Sequence, residues 1–569
     1  MNVTLYQTQD PWMDIGLVAF YDALDFICEE DPDLFLKEPE LTPGFLTFAI
    51  ENEQVKNFQE SLAFYIQEKI NNILLPSAEL KWLGNAEWTK KDERGFMNDQ
   101  YKLTLTKEDI AFLKNQTNEK GNPIIKKPQK VAEVQCYRSY IGIKRDWRWM
   151  RDNYQEEVNH FIHQVFGKSL KKKKCPLCGR EAETFFPMNQ SRNVLFNQHH
   201  ATPIRGYQSS VRKEKMCPVC NLLNLFATLQ IGWIPYFVAG DVTHLLVPEV
   251  TNLSSLFHLM KTIGSNGLHQ NLGKAKQVVT YQTNIVHLKH RTLYASLLQL
   301  YFWMNYVQKE SGLMRSSLRK QDHIALRGWM IPRYSKGQNV IFKEFTRISI
   351  DEDLFSLTLL ISWGSYQKVY EGDIVQDFIN EIRSEDDRVL DRIAKGIIKK
   401  DIRIIAKNLF QLYKRSLNKP DKYNLTIRGS LFFKDYLPYF CRYLEKEEMD
   451  LFNDRFHEDL RLLGITIGQN TDLASMNKLN TAATVDTFVT AVKEALFKVY
   501  KQQLSRNKDK NVSDEIYNIG TKRMHNILSS LDKNNLFIIR DTLIIYASLS
   551  AFQTNNVKKK EKEKESIEE

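Results

Sequence analysis

The 569-residue chain carries no G-x-x-x-x-G-K-[ST] phosphate loop, no G-x-G-x-x-G turn and no G-x-S-x-G elbow. It also lacks a compact set of carboxylates for two-metal chemistry. Those absences point to a scaffold or recognition subunit and not to an enzyme. Cysteine is scarce, at seven residues, and Cys28, Cys136 and Cys441 are scattered. That spacing excludes a disulfide framework and fits a reducing compartment, so a cytoplasmic location is expected. The opening MNVTLYQTQDPWMD has neither a basic region nor an apolar core, and no secretory leader is expected. Residues 222–238 form the most apolar run, but Asn224, Gln230, Gly232 and Pro235 interrupt it. It reads as a buried helix followed by a strand, with no membrane partner implied. No internal repeat of solenoid length is present.

What the chain does contain is enough apolar material for a packed globule: 43% hydrophobic residues beside 26% charged. Its length implies two to four domains. The net charge of +10 is unevenly distributed. Residues 1–60 are acidic through Asp22, Asp25, Glu29, Glu30, Asp31 and Asp33, whereas residues 120–215 and 312–347 are basic. One face for a polyanion and another for protein partners follow from that partition.

Four of the seven cysteines form one arrangement. Cys175 and Cys178 make a C-x2-C pair in KKKKCPLCGR, and Cys217 and Cys220 make a second in CPVCN. Two such pairs supply four thiolates, each about 2.3 Å from one zinc ion in a closed tetrahedral site. Proline follows the first cysteine of each pair, and Gly179 and Asn221 follow the second. This is the turn chemistry of a knuckle whose backbone N–H groups face sulfur. A helix from Asn221 onward is expected to direct its positive end at Cys220. A pair of redox disulfides is the rival use of the same spacing.

The fold expected is an α+β, mixed N-terminal body with an embedded four-cysteine zinc module, followed by a mainly α-helical C-terminal bundle. Its parts are a mixed α/β body over 1–164, a zinc-binding insert over 165–225, a continuation of the body over 226–350, a helical domain over 351–555 and a charged disordered tail over 556–569. Asp10-Pro11 marks a helix start, followed by Ile15, Val18, Ala19 and Leu24 at near-helical spacing, with Gly16 inside the pattern. Leu103 and Leu105 alternate as in a short strand, and residues 106–109 resemble a capping box. Residues 115–130 are a polar loop, and 131–143 are strand-like. Residues 293–307 read as a helix, and 340–350 as a strand. Val485, Phe488, Val489, Val492, Leu496 and Val499 share one helical face, and 537–552 form an apolar helix.

Three basic groups are candidates for nucleic-acid contact. Lys144, Arg145, Arg148 and Arg151 interleave with Trp147 and Trp149, pairing phosphate neutralisers with stacking faces. The alternative for this cluster is a strand end or amphipathic helix with Trp inside. Lys171, Lys172, Lys173 and Lys174 precede the first cysteine pair. Arg192, Asn193, Asn197, Gln198, Arg205, Gln208 and Arg212 lie between the pairs, and such side chains read base edges. Packing of this loop on a protein neighbour is its other use. Arg315, Arg319, Lys320, Arg327, Arg333 and Lys336 form a third group, with Gly328 and Gly337 taken as exposed turns; a solvated surface is the alternative for each of these residues.

The order CPLC, His199-His200, CPVCN also resembles a zinc-held HNH endonuclease, in which histidine activates water beside a catalytic metal. The residues after Asn221 are apolar and offer no histidine to complete that site.

Taken together, DPWMDIGLVAF, CPLCGR and CPVCNLLNLFATL resemble the CXXC–CXXC family of CRISPR-associated proteins. These are large subunits of type I (I-A/I-B) Cascade surveillance complexes. The resemblance implies a non-catalytic subunit that touches the crRNA 5′ region and recognises the protospacer-adjacent motif on double-stranded target DNA. It also implies help in opening the target and recruitment of a separate helicase-nuclease. The implied partners are crRNA, target DNA, and the Cascade backbone and crRNA 5′-end subunits. By the same analogy, a small subunit is translated from an internal start at Met449 or Met476, with Lys493, Lys498, Lys501, Arg506, Lys508 or Lys510 available to a displaced strand; the alternative is that Met449 is an ordinary helix residue and this region exists only as a domain of the full chain. The cysteine motifs and the opening are the specific parts, and the helical C-terminal half is generic.

Overall fold

A computed structural model describes residues 1–8, 10–72, 102–103, 107–115, 134–135, 146–167, 173–188, 215–229, 234–239, 242–264, 278–279, 284–285, 292–304, 307–310, 313–316, 320–335, 341–350, 354, 382–383, 387–420, 422–425, 454–506 and 510–568. The chain is mixed α/β and divides into two units. The first comprises Met1–Lys289 and Leu318–Ser349, the second His290–Ser317 and Ile350–Glu569.

The first unit is organised around its opening helix. Strand β1 (Asn2–Tyr6) leads into helix α1 (Pro11–Glu30). Asp10 is the N-cap, accepting from the Trp12 and Met13 backbone N–H groups, and Pro11 fills the first turn where its missing N–H costs nothing. Strands β2 (Phe35–Leu41) and β3 (Phe45–Ile50) complete an antiparallel sheet in the order β1-β3-β2. Helix α2 (Val55–Asn72) follows, and α3 (Asp146–Phe166) packs against it. DWRWMRDNY therefore begins a helix, the second of the two conformations expected for this stretch.

Four short strands come next: β4 (Lys173–Lys174), β5 (Glu181–Ala182), β6 (Phe186–Pro187) and β7 (Lys215–Met216). Then come α4 (Pro218–Leu229), β8 (Tyr236–Ala239), β9 (Val242–Leu245), β10 (Val247–Val250) and α5 (Leu253–Gly264). The apolar run thus resolves into a helix and a strand, as its interruptions imply. Strands β11 (Leu326–Ser335) and β12 (Ile341–Ser349) close a second antiparallel sheet. β12 pairs with one edge of β11, while β9 and β10 share the other. Gly328 is buried inside β11 and is not an exposed turn. A Cβ there would meet the Ile348 carbonyl oxygen at 2.3 Å, so close strand approach explains this glycine.

Helix α1 is the axis of the core. Trp12, Ile15, Leu17, Val18, Phe20 and Leu24 are fully buried. Phe20 meets Phe161 of α3 at 5.4 Å and Phe226 of α4 at 5.2 Å between ring centroids. Every residue of α4 is buried. A helix buried on all sides belongs in the middle of a domain.

The second unit contains mainly helices among its described residues: α6 (Leu293–Met304), α7 (Asp387–Ile398), α8 (Ile402–Ser416), α9 (Asp454–Asn470), α10 (Leu473–Thr481), α11 (Val485–Arg506), α12 (Lys510–Ser529) and α13 (Leu536–Glu568). Helix α6 groups with this unit, although the sequence places it in the first body. Asp391 of α7 explains the attachment, accepting hydrogen bonds from the backbone N–H groups of Tyr294 and Ala295 at 2.6 and 3.2 Å. Helices α9 and α13 cross closely: a Cβ on Gly468 would meet the Ala547 carbonyl oxygen at 2.1 Å. Residues Leu536–Thr554 of α13 are long and apolar enough to span a membrane, and most of them are buried within this unit. Helix α13 continues through the charged segment expected to be a disordered tail. Lysine and glutamate are good helix formers, which accounts for the extension.

Candidate metal centre

The four cysteines converge from two chain segments with different local geometry. The first is a hairpin turn. β4 and β5 pair Lys173 with Ala182 and Lys174 with Glu181, and the Cys175 N–H donates to the Arg180 carbonyl at 2.8 Å. The Gly179 N–H donates to the Cys175 carbonyl at 2.9 Å, with Gly179 at φ +69°. That left-handed conformation is why glycine follows Cys178.

The second segment is a strand-to-helix junction. β7 delivers Cys217 to the position just before α4, and Cys220 occupies the first turn of that helix. The helix therefore begins at Pro218 and not at Asn221. Proline is suited to a first helical position, so what reads as knuckle turn chemistry is also a helix start. Both Cys217 and Cys220 sit at the positive end of the α4 dipole, which favours thiolates.

All four sulfurs lie within 4.8 Å of one another. The Cys175–Cys220 and Cys178–Cys217 sulfurs are 3.9 and 3.6 Å apart. A tetrahedron with metal–sulfur bonds of about 2.3 Å has an edge of about 3.8 Å. A disulfide needs a separation of about 2.05 Å. The thiols are free, so the geometry fits metal coordination and not a redox bridge. Cys175, Cys217 and Cys220 are buried and Cys178 is half-buried.

The charge logic agrees. Hydrogen bonding from Cys178, Cys217 and Cys220 pulls the Cys175 thiol far down, whereas proximity to Cys175 and then Cys178 pushes Cys217 and Cys220 far up. Four thiolates this close repel one another unless a cation sits among them. The cluster can hold a metal ion.

The site is built into the core. Ala182, Phe186 and Met216 join the cysteines in the hydrophobic cluster that contains α1. Two contacts invisible to motif reading brace it. Arg180 donates from Nη2 to the Thr4 carbonyl of β1 at 2.8 Å, and Trp12 Nε1 donates to Asn224 Oδ1 of α4 at 3.1 Å. The arginine after CPLCG and the asparagine within CPVCNLLN were the available signals, but neither names its partner. At Gly16, a Cβ would lie 2.0 Å from the Leu223 carbonyl oxygen, so α1 and α4 touch backbone to backbone.

Of the residues expected to contact nucleic acid, Lys173 and Lys174 are exposed on β4, beside Cys175. Arg148 is on α3. Lys144, Arg145, Lys171, Lys172, Arg192, Asn193, Asn197, Gln198, Arg205, Gln208 and Arg212 lie outside the described residues, as do His199 and His200. β6 and β7 pair Phe186 with Met216 and Pro187 with Lys215, so the described residues on either side of 189–214 are held side by side. No family model matches the chain, and no curated protein matches it.

Proposed function

We propose that the protein is the non-catalytic large subunit of a crRNA-guided type I CRISPR surveillance complex acting in the cytoplasm. In this reading it recognises the protospacer-adjacent motif on duplex DNA, supports unwinding and recruits an effector nuclease. The observation that carries the reading is the meeting of three sequence segments. DPWMDIGLVAF forms the start of α1, CPLCGR forms the hairpin turn, and CPVCNLLNLFATL forms the α4 junction. The motifs that carry the family resemblance thus form one structural unit. The resident metal is zinc, because an all-sulfur tetrahedral donor set with no open position suits a structural zinc ion.

A zinc-held HNH nuclease is less well supported. Such chemistry needs a second, solvated metal position next to the knuckle, and α4 is buried along its whole length. For the proposed small subunit, Met449 is the better start. Helices α9 to α13 all follow it, whereas Met476 is buried inside α10 and would discard α9, the main partner of α13.

The deciding experiment is reconstitution with crRNA and the products of neighbouring genes. Omission of this chain should abolish discrimination between motif-bearing and motif-free duplexes while leaving the crRNA-bound backbone assembled. Unchanged discrimination without it would overturn the reading. Purified protein with Mg2+ or Mn2+ should leave DNA intact, and cleavage lost on His199→Ala would favour the nuclease.

A further inference from the structure

Helices α7 and α8 of the second unit pack against each other as a hairpin. Gly396 is a point of close approach, where a Cβ would meet the Ile405 side chain at 2.6 Å. The apolar sides of both helices face inward. Val389, Leu390, Ile393 and Ile397 of α7 are buried, as are Ile405, Leu409 and Leu412 of α8. α7 packs on α6, and α8 on α13.

What remains outside carries one sign of charge. Every exposed side chain described on the two helices is arginine or lysine. Arg388, Arg392 and Lys395 on α7 and Lys399 just beyond it recur at i, i+4, i+7 and i+11. They form one stripe about 16 Å long. Arg403 and Lys407 add an i, i+4 pair on α8. Lys414 and Arg415 have a local reason, since they stand in the last turn of α8 at its negative dipole end. The stripe has no such reason. Like charges three and four residues apart destabilise a helix. Arg392, Lys395 and Lys407 form no ion pair with any described residue. The carboxylates of Asp391 and Asp401 are taken by backbone N–H groups. No run of basic residues announces this face in the sequence, because its cations alternate with the apolar residues of the buried side.

We propose that the outward face of the α7–α8 hairpin binds the phosphate backbone of a nucleic-acid duplex, without regard to sequence. A duplex carries one charge per about 1.7 Å of its axis, so the stripe runs beside about ten phosphates. Other polyanions fit less well. A single strand is held by stacking its bases on free aromatic faces. The rings nearest this face are already covered: Lys395 lies 5.6 Å over Tyr294, and Arg403 lies 5.2 Å over Phe537. A membrane-bound helix turns apolar side chains to the lipid, and a protein interface has an apolar centre. These helices expose neither. The inference rests on this face alone and not on the crRNA-guided reading.

The test uses the purified full chain without crRNA, titrated with salt against a fluorescent duplex of scrambled sequence. The triple variant Arg392→Gln, Lys395→Gln, Lys407→Gln should flatten the log–log salt slope by about 0.9 per lost contact, roughly 2.7 in all. Binding at low salt should weaken by at least about tenfold. The melting temperature should hold or rise, because like charges are removed. Replacing Lys56, Lys478 and Lys533 by glutamine removes the same charge at other exposed places and should leave the slope nearly unchanged. Parallel titrations with a DNA and an RNA duplex show which of the two is taken. Equal slopes for the two triple variants overturn the proposal. So does a loss confined to single strands, to phosphatidylserine vesicles or to polyglutamate. Failure here leaves motif discrimination by the assembled complex untouched, so the two readings fail separately.

Discussion

Replacing Gly16 by alanine tests how tightly the metal centre is bound to the N-terminal helix. The added Cβ would stand 2.0 Å from the Leu223 carbonyl oxygen and 2.6 Å from its carbon. Ordinary non-bonded contact needs about 3.5 Å, so α1 and α4 must separate by roughly 1.5 Å. The obstacle is helix backbone, which no rotamer change can relieve. Overpacking of this kind costs about 1–3 kcal/mol, and alanine returns about 1 kcal/mol through helix propensity. Because both helices are locked by the Phe20 ring contacts and the Trp12–Asn224 bond, the cost lies at the upper end. The net loss is about 2 kcal/mol, or roughly 3 °C in melting temperature for a unit of about 320 residues. Cys220 lies one turn before Leu223, and metal–ligand distances tolerate only about 0.2 Å. Gly16→Ala should therefore also lower metal retention. Circular dichroism melts together with colorimetric metal release measure both effects. Gly44 is the control, since its Cβ would meet nothing within 4 Å. A Gly16→Ala protein with wild-type melting and full metal content would refute the coupling.

Elemental analysis in reducing buffer should find one zinc per chain, and Cys178→Ser or Cys217→Ser should cut soluble yield; a metal-free native protein would remove the site. Charge reversal at Lys173 and Lys174, with Lys171 and Lys172, should weaken binding of the assembled complex to all targets and flatten the log–log salt slope by about 0.9 per lost contact. Salt titration of motif-bearing and motif-free duplexes checks that the loss is uniform. Asp472 caps α10, accepting from the Ser475 N–H at 2.9 Å, and Asp472→Ala should cost about 1 kcal/mol in denaturant unfolding. The Ser475 hydrogen bonds, then Lys498, hold the Asp472 carboxyl at about 2, below its ordinary 3.8. Its stabilisation is complete above about pH 4 and fades as pH falls through 2, so acid titration should erase the difference between wild type and Asp472→Ala.

Local signals were legible where one rule governed them. Asp10-Pro11 announced α1 because capping and proline geometry act within a single turn. The apolar spacing from Val485 to Val499 announced α11, and the two C-x2-C pairs announced the sulfur cluster. Pro218 misled because a proline after cysteine suits both a knuckle turn and a helix start. Gly328 misled because a glycine demanded by a neighbouring strand looks, in sequence, like a glycine demanded by a turn. The partner of Arg180 was hidden for a different reason. Thr4 lies 176 positions away and contributes a carbonyl group, which every residue possesses. Long-range backbone acceptors leave no sequence signature.

The pairing of β6 with β7 has a consequence for how this chain can vary. The ends of residues 189–214 are held together by a ladder rooted in the sulfur cluster, so the price of bringing them together is already met by the core. Loop-closure entropy grows only as the logarithm of length, at about 0.6 kcal/mol per doubling. Added length between those strands should thus raise the closure cost only slightly. A change in the length of this segment should then act on what the segment does and hardly on whether the cysteines, Arg180 and Gly16 assemble, and an epitope added there should carry little closure cost.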